Sequence, residues 1–287
     1  MKILFCTDGS KISFNAIKNF MQYSKQFTAD IICVADWHFY SLYKENPTQN
    51  YQETYEELSD KILSEAQEYI LSGGNIVDKI IKGYGNVSEE IMKQTQKQEY
   101  SLIVMGSNGK KGFRSWLGSV SRAVINTSLK NIFISKNETC DKKVLFTTDG
   151  SEYSDYVIQK ALEMLDLTEC LVYLIYVEKD LNNLPIELKT NSHWFNKIIE
   201  QQKQEKEQIL KRISEIFNSK NIQIKREFSL IGEPAEKILE INNDIDFDLI
   251  IMGSHSKNAL QRMLLGSTSM RVLERAKKSV MIIYPKT

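Results

Sequence analysis

Apolar residues in this chain follow two alternating patterns. Short unbroken runs end in glycine or a polar turn, and between them lie longer segments with an apolar residue every third or fourth position. The runs are what strands buried on both faces require, and the spaced segments are amphipathic helices packed on them. In the first half, Lys2 to Thr7 predicts a strand, and Ile12, Ala16, Phe20, Tyr23 and Phe27 a helical stripe. Ile31 to Val34 predicts strand two. A polar, aromatic insertion from Trp37 to Tyr51 follows, and then a helix marked by Tyr55, Leu58, Ile62, Ala66 and Tyr69. Ser72-Gly73-Gly74 ends that helix, because glycine supplies the left-handed turn. Ile76 to Ile81 predicts strand three, Ser88 to Gln98 a helix capped by Ser88, and Ser101 to Met105 strand four. Gly118 to Thr127 opens a fourth helix, and Ile132 to Ile134 is strand five.

The pattern then repeats. Val144 to Thr147, Leu171 to Val177, Ile222 to Phe228, Leu249 to Met252 and Val280 to Tyr284 predict five more strands. A long helix runs from about Trp194 to Phe217, and its polar middle, Gln201 to Lys206, reads as a solvated face. Three anchors recur in one order. Leu4-Phe5-Cys6-Thr7-Asp8-Gly9-Ser10 returns as Leu145-Phe146-Thr147-Thr148-Asp149-Gly150-Ser151. Gly85 with Val87 to Ile91 returns as Gly232 with Pro234 to Ile238, and Leu102 to Gly106 returns as Leu249 to Gly253. The chain is therefore a duplication with its boundary near Ser135 to Lys142, and the expected units are residues 1–138 and 141–287. Alternating strands and helices imply an α/β fold, a doubly wound parallel sheet in each unit.

Lys+Arg and Asp+Glu both number 37 in 287 residues, so no basic excess points to nucleic acid or an anionic membrane. No apolar stretch approaches the length of a membrane span. Cys6, Cys33, Cys140 and Cys170 lack redox or metal-finger spacing, which fits a reducing cytoplasm. His38, His193 and His255 fall in three separate loops or inserts without metal-ligand spacing.

The chemistry concentrates where strand four gives way to glycine. Gly106-Ser107-Asn108-Gly109, with Gly118-Ser119 further on, returns as Gly253-Ser254-His255-Ser256 with Gly266-Ser267. Glycine lets backbone approach a ligand, successive N–H groups form an anion nest, and the helix that follows adds its positive end. Lys110, Lys111, Arg114, Lys257 and Arg262 add local positive charge, and Trp116 packs the loop down. In a doubly wound sheet this loop and Asp8 or Asp149 face one crevice if strands one and four are neighbours.

The first strand ending in Thr-Asp-Gly-Ser, the Gly-Glu-Pro-Ala-Glu segment at Gly232, and Met-Gly-Ser followed by Leu-Gly-Ser resemble the universal stress protein family. The resemblance spans nearly the whole chain as two tandem copies. It implies two five-stranded parallel sheets of strand order 3-2-1-4-5, the adenine-nucleotide α-hydrolase-like fold. Part of that family binds ATP through Gly-x2-Gly-x9-Gly-(Ser/Thr). The first copy here keeps Gly106-x2-Gly109 but has eight residues, not nine, before Gly118-Ser119. The second has nine before Gly266-Ser267 but carries Ser256 in place of the second glycine.

By resemblance, Asp8 and Asp149 sit at the adenosine end, or else are turn and cap residues. Val34 and Val177 meet adenine through backbone groups, or are core strand. Gly106, Gly109, Gly118 and Ser119 cradle phosphates in one copy, and Gly253, Ser256, Gly266 and Ser267 in the other. ATP, with Mg2+ accompanying it, is the expected ligand. The alternative is a nucleotide-free dimerisation or interaction module. Catalysis is limited to slow hydrolysis at most, since no P-loop or His-x-Gly-His signature occurs. Family members commonly dimerise through strand five, so the two halves are expected to pair about a pseudo-twofold axis, the chain being monomeric or a homodimer.

Overall fold

The computed structural model describes residues 1–36, 51–107, 117–136, 141–178, 180–181, 192–255 and 265–285. In the first half, β1 (Lys2–Cys6), β2 (Thr28–Asp36), β3 (Ile76–Gly85), β4 (Leu102–Gly106) and β5 (Ile132–Ser135) alternate with four helices. These are α1 (Lys11–Met21), α2 (Tyr51–Ser72), α3 (Val87–Lys97) and α4 (Ser119–Ser128). The second half repeats them as β6 (Lys143–Thr148), β7 (Leu171–Glu178), β8 (Ile224–Ile231), β9 (Leu249–Gly253) and β10 (Ser279–Ile283). Its helices are α5 (Glu152–Met164), α6 (Ser192–Asn218), α7 (Pro234–Ile245) and α8 (Ser267–Arg275).

Each half is a parallel sheet of order 3-2-1-4-5, as the duplication and resemblance imply. The halves do not stay separate. β5 and β10 pair antiparallel through Ile132–Ile282, Phe133–Met281 and Ile134–Val280, giving one ten-stranded sheet, β3-β2-β1-β4-β5-β10-β9-β6-β7-β8. The unpaired backbone of each sheet edge is thus satisfied by the other. Successive strand residues point to opposite faces. Ile3, Phe5, Phe20 and Ile62 pack on one side with Phe146 and Phe217. Leu4, Ile103, Val124 and Ile125 pack on the other with Leu145, Ile250 and Val272. No helix of the described residues is long and apolar enough to cross a membrane.

Several local readings change. The α1 stripe ends at Met21, so Tyr23 and Phe27 lie beyond the helix, still fully buried. There the chain turns to meet the second half. Ser24 bridges Leu165, Lys25 N–H donates to Met164 O, and Asp166 N–H donates to Tyr23 O. Asn86, not Ser88, caps α3: its side-chain oxygen accepts from both Ser88 N–H and Glu89 N–H. His193 lies inside α6 rather than in a loop. Cys6 and Cys33 are buried, and burial pushes the Cys6 thiol pKa far up.

The residues following β5 and β10 cross the junction. Tyr284 donates its hydroxyl to Ile125 O of α4 at 2.7 Å. Lys136 donates to Leu273 O of α8, and to Ala276 O at 2.6 Å. Ile125 and Leu273 hold the same position counted from Gly118 and Gly266, so the two contacts are pseudo-twofold mates with different chemistry. Lys25 likewise reaches Leu162 O and Glu163 O at the C-terminal end of α5, at 2.9 and 3.2 Å. Cations suit the negative end of a helix. Arg122 of α4 and Glu274 of α8 add an ion pair at 2.6 Å.

Burial pulls the Lys136 ammonium from 10.5 down to about 7, with Glu274 pushing the other way. The folded pKa is below the unfolded one, so between about pH 7 and 10.5 the unfolded chain holds the extra proton. Stability from this group therefore rises with pH in that window, by at most ~1.4 kcal/mol per pH unit. Urea unfolding of wild type and Lys136→Met across pH 7 to 10 should show the slope in the former and its loss in the latter.

Candidate functional site

β1 lies between β2 and β4, and β6 between β7 and β9, so the strand order reverses at the first strand of each half. Crevices at such points open beyond the carboxyl ends of the strands. Asp8 and Gly106 therefore share one sheet edge in the first half, and Asp149 and Gly253 in the second.

The Thr-Asp-Gly-Ser segment is a closed hydrogen-bonded turn, built identically twice. The Thr7 hydroxyl meets Ser13 Oγ at 2.9 Å and accepts from Gly9 N–H at 3.1 Å. Asp8 Oδ1 accepts from Ser10 N–H at 3.0 Å, and Ser10 caps α1 by accepting from Ser13 N–H. Thr148, Asp149, Ser151 and Ser154 repeat these contacts. Gly9 has φ +75°, and a Cβ there would stand 2.5 Å from Ile62 Cδ1. Gly150 has φ +74°, with Ile209 Cδ1 at 2.3 Å. Only glycine fits, because φ is positive and an isoleucine covers the turn.

The glycine loops also close alike. Gly118 N–H donates to Ser107 O at 2.7 Å, and Gly266 N–H to Ser254 O at 2.6 Å. The second loop is one residue longer, yet both helices begin from the same backbone, φ −69° and ψ 161° at Gly118, φ −62° and ψ 153° at Gly266. Ser121 Oγ then clamps Gly106 O at 2.9 Å, and Ser269 Oγ clamps Gly253 O at 2.7 Å. Ser10, Asn86, Ser151 and Glu233 cap α1, α3, α5 and α7 with their side chains. Gly118 and Gly266 give α4 and α8 no side-chain cap. The N–H groups of Ser119, Val120 and Ser121, and of Ser267, Thr268 and Ser269, precede the first helical hydrogen bond.

Two backbone donors next to the glycines of the cradle are engaged elsewhere. Ser107 N–H bonds Ser135 O at 2.7 Å, and Ser254 N–H bonds Ile283 O at 2.9 Å. Gly106 and Gly253 also have packing reasons to be glycine. A Cβ on Gly106 would meet Ile12 Cγ2 at 2.9 Å, and one on Gly253 would meet Tyr153 Cε1 at 2.8 Å. Val34 and Val177 are half-buried at the ends of β2 and β7. Ile32 O accepts from Thr7 N–H, so its backbone faces β1. Two residues on, the Val34 backbone faces the same side, beyond the last β1–β2 pair, Cys6–Ile32. Gly109, Ser256, the loop cations Lys110, Lys111, Arg114, Lys257 and Arg262, Trp116 and His38 lie outside the described residues.

A model of the universal stress protein family matches residues 1–136 and again residues 142–284. The chain belongs to the universal stress protein family. Universal stress protein MJ0531 of Methanocaldococcus jannaschii is 32% identical over 153 residues, 53% of this chain and 88% of that protein. Universal stress protein MJ0577 of the same organism is 30% identical over 161 residues, 50% of this chain and 96% of its own. Each relative thus corresponds to one half. Among solved structures, a universal stress protein from Archaeoglobus fulgidus aligns over 99% of this chain and 96% of its own, at TM-score 0.65 and 22% identity. A functionally unknown protein, PA1789 of Pseudomonas aeruginosa, aligns over 99% and 92% at TM-score 0.67 and 10% identity. These two likenesses concern the fold.

Three residues of this universal stress protein were not singled out by sequence. Ser121 and Ser269 clamp the strand ends, and their only signal was a shared place after each Gly-Ser. Tyr153, at the position of Ile12, accepts from Ser254 N–H and meets Ser254 Oγ, both at 3.0 Å, and donates to Ile283 O. Tyr153→Phe should cost about 1 to 2 kcal/mol in urea unfolding, since Ile283 O and Ser254 each lose a partner. Gly106→Ala should also cost about 1 to 3 kcal/mol, through overlap with Ile12 alone.

Proposed function

We propose that this tandem universal stress protein is a stress-response regulatory protein that binds ATP or a related adenine nucleotide in one or both crevices, with little or no hydrolysis. The observation that carries the reading is the pair of helix N-termini, α4 and α8, that open without a side-chain cap beside the strand-order reversal. Every other described N-cap is a side chain that satisfies its own helix. Phosphate is suited to the N–H groups left over, helped by the helix dipole and by the Ser119 and Ser267 hydroxyls. At the other end, Asp8 and the Val34 backbone offer acceptors and a donor to ribose and adenine. Mg2+ enters this reading with the triphosphate, because the loop groups are donors, which bind phosphate oxygens rather than metal.

The competing reading is a nucleotide-free interaction module of the same fold. It is favoured by the engaged N–H groups of Ser107 and Ser254, and by the turn, which Thr7, Asp8 and Ser10 hold closed through their side chains.

Denaturing the purified protein should release adenine nucleotide, and the stripped protein should give heat on titration with Mg-ATP. No release and no heat at millimolar ATP would establish the interaction module instead. Asp8→Asn separates the two roles of that residue. Its amide oxygen can still accept from Ser10 N–H, so the melting temperature should hold, while loss of the carboxylate should weaken ATP about tenfold, the scale of one charge-assisted hydrogen bond.

A further inference from the structure

The two crevices share a phosphate end and differ at the base end. The ladder of β6 on β7 runs one pair further than that of β1 on β2, ending at Thr148–Tyr176 rather than at the equivalent of Cys6–Ile32. In a parallel ladder that extra pair turns the Val177 N–H onto Thr148, whereas the Val34 N–H lies beyond the ladder. The residue after Val34 is Ala35. The residue after Val177 is Glu178, which is buried and whose Oε1 accepts from Lys206 Nζ of α6 at 3.0 Å and from the Ser229 hydroxyl. The position of Lys206 in α6 is that of Ser59 in α2, counted from the isoleucines Ile209 and Ile62 that cover the two turns. Ser59 is fully buried and carries no charge.

The helix over the second crevice is also strapped. Arg212 of α6 holds Asp155 of α5 through Nε at 2.6 Å and Nη2 at 3.3 Å, and its Nη2 donates to Gly150 O at 2.9 Å. The corresponding residues in the first half are Glu65, which is exposed, and Phe14. The first turn is covered by Ile62 without a matching charged strap.

We infer that the first crevice is the nucleotide site, and that Glu178, Lys206 and Ser229 hold the base end of the second crevice shut. This rests on the nucleotide reading above. A base entering the second crevice must part Lys206 from Glu178. It would leave a buried carboxylate unpaired beside an anionic ligand, a penalty of the kind that breaking a buried ion pair carries. It would also find the Val177 N–H already bonded. Among the described residues, the first crevice meets neither obstacle. Glu178 and Lys206 are thus specificity-determining residues that act by exclusion.

The test uses the full chain and two readouts. Radiolabelled ATP should bind with one equivalent per chain, and 8-azido-ATP photolabelling with peptide mapping should mark residues 1–136. Two equivalents, or label mainly in 142–284, would overturn the assignment. No binding and no label at all would instead sink the nucleotide reading on which it rests. The double variant Glu178→Ala, Lys206→Ser removes both charges together. Provided it melts as a folded protein, it should gain photolabel in 142–284 and move toward two equivalents. A folded double variant still labelled in the first half alone would show that the ion pair is not what excludes ligand.

Discussion

Everything in this molecule hangs on how two sheet edges are satisfied. β5 and β10 are each the last strand of a parallel sheet, covered by helices on both faces but open at the side. Each exposes a row of N–H and C=O groups that must find partners. They find each other, antiparallel, and the pseudo-twofold axis follows from that pairing. Once the axis is set, the residues just after the two strands point into the opposite half, where Lys136 and Tyr284 meet α8 and α4. The same strands take the N–H groups of Ser107 and Ser254, so the junction also shapes the mouths of both crevices. The edges left among the described strands are β3 and β8, which carry Lys79, Lys82, Lys225, Arg226 and Glu227, charges that discourage further sheet growth.

The architecture was legible because it rests on local signals. Buried strands announce themselves as unbroken apolar runs, and the repeated Thr-Asp-Gly-Ser and Met-Gly-Ser anchors fix the duplication. Contacts between distant positions were not legible. Nothing in Gln201 to Lys206 tells Lys206 apart from its solvated neighbours. Its role depends on Glu178, 28 positions earlier, and on the rotation of α6 set by Ile209, Ile213 and Phe217. Nor does the sequence show that the stripe of Ile12, Ala16 and Phe20 leaves the helix before Tyr23. The chain breaks there to reach Leu165 and Asp166, a tertiary demand that overrides helical periodicity. The Ser88 cap failed on a smaller scale, since Asn86 and Ser88 are both good caps and only the entry angle of the chain chooses.

The motif residues carry a further lesson. Gly9, Gly106, Gly150 and Gly253 look like ligand contacts when read as a motif, yet each is required by an isoleucine or tyrosine packed against it. Asp8 and Asp149 close turns. A fold can hold such a motif for its own reasons, so the motif alone assigns these residues no function.

The lysines of the junction give it a direction. Lys25 and Lys136 both belong to the first half, and both reach helix C-termini of the second. Their counterparts across the axis are Asp166 and Tyr284, which cannot return the favour with positive charge. A duplicated pair that began as like with like now makes charged contacts in one direction and neutral ones in the other. It is in effect a heterodimer whose subunits happen to be joined by a peptide linker. Two first halves or two second halves are no longer equivalent substitutes, so each half now evolves under constraint from the other. That freedom from strict symmetry lets Glu178, Lys206 and Ser229 tie together the end of one crevice, where its twin has Ala35 and a buried Ser59.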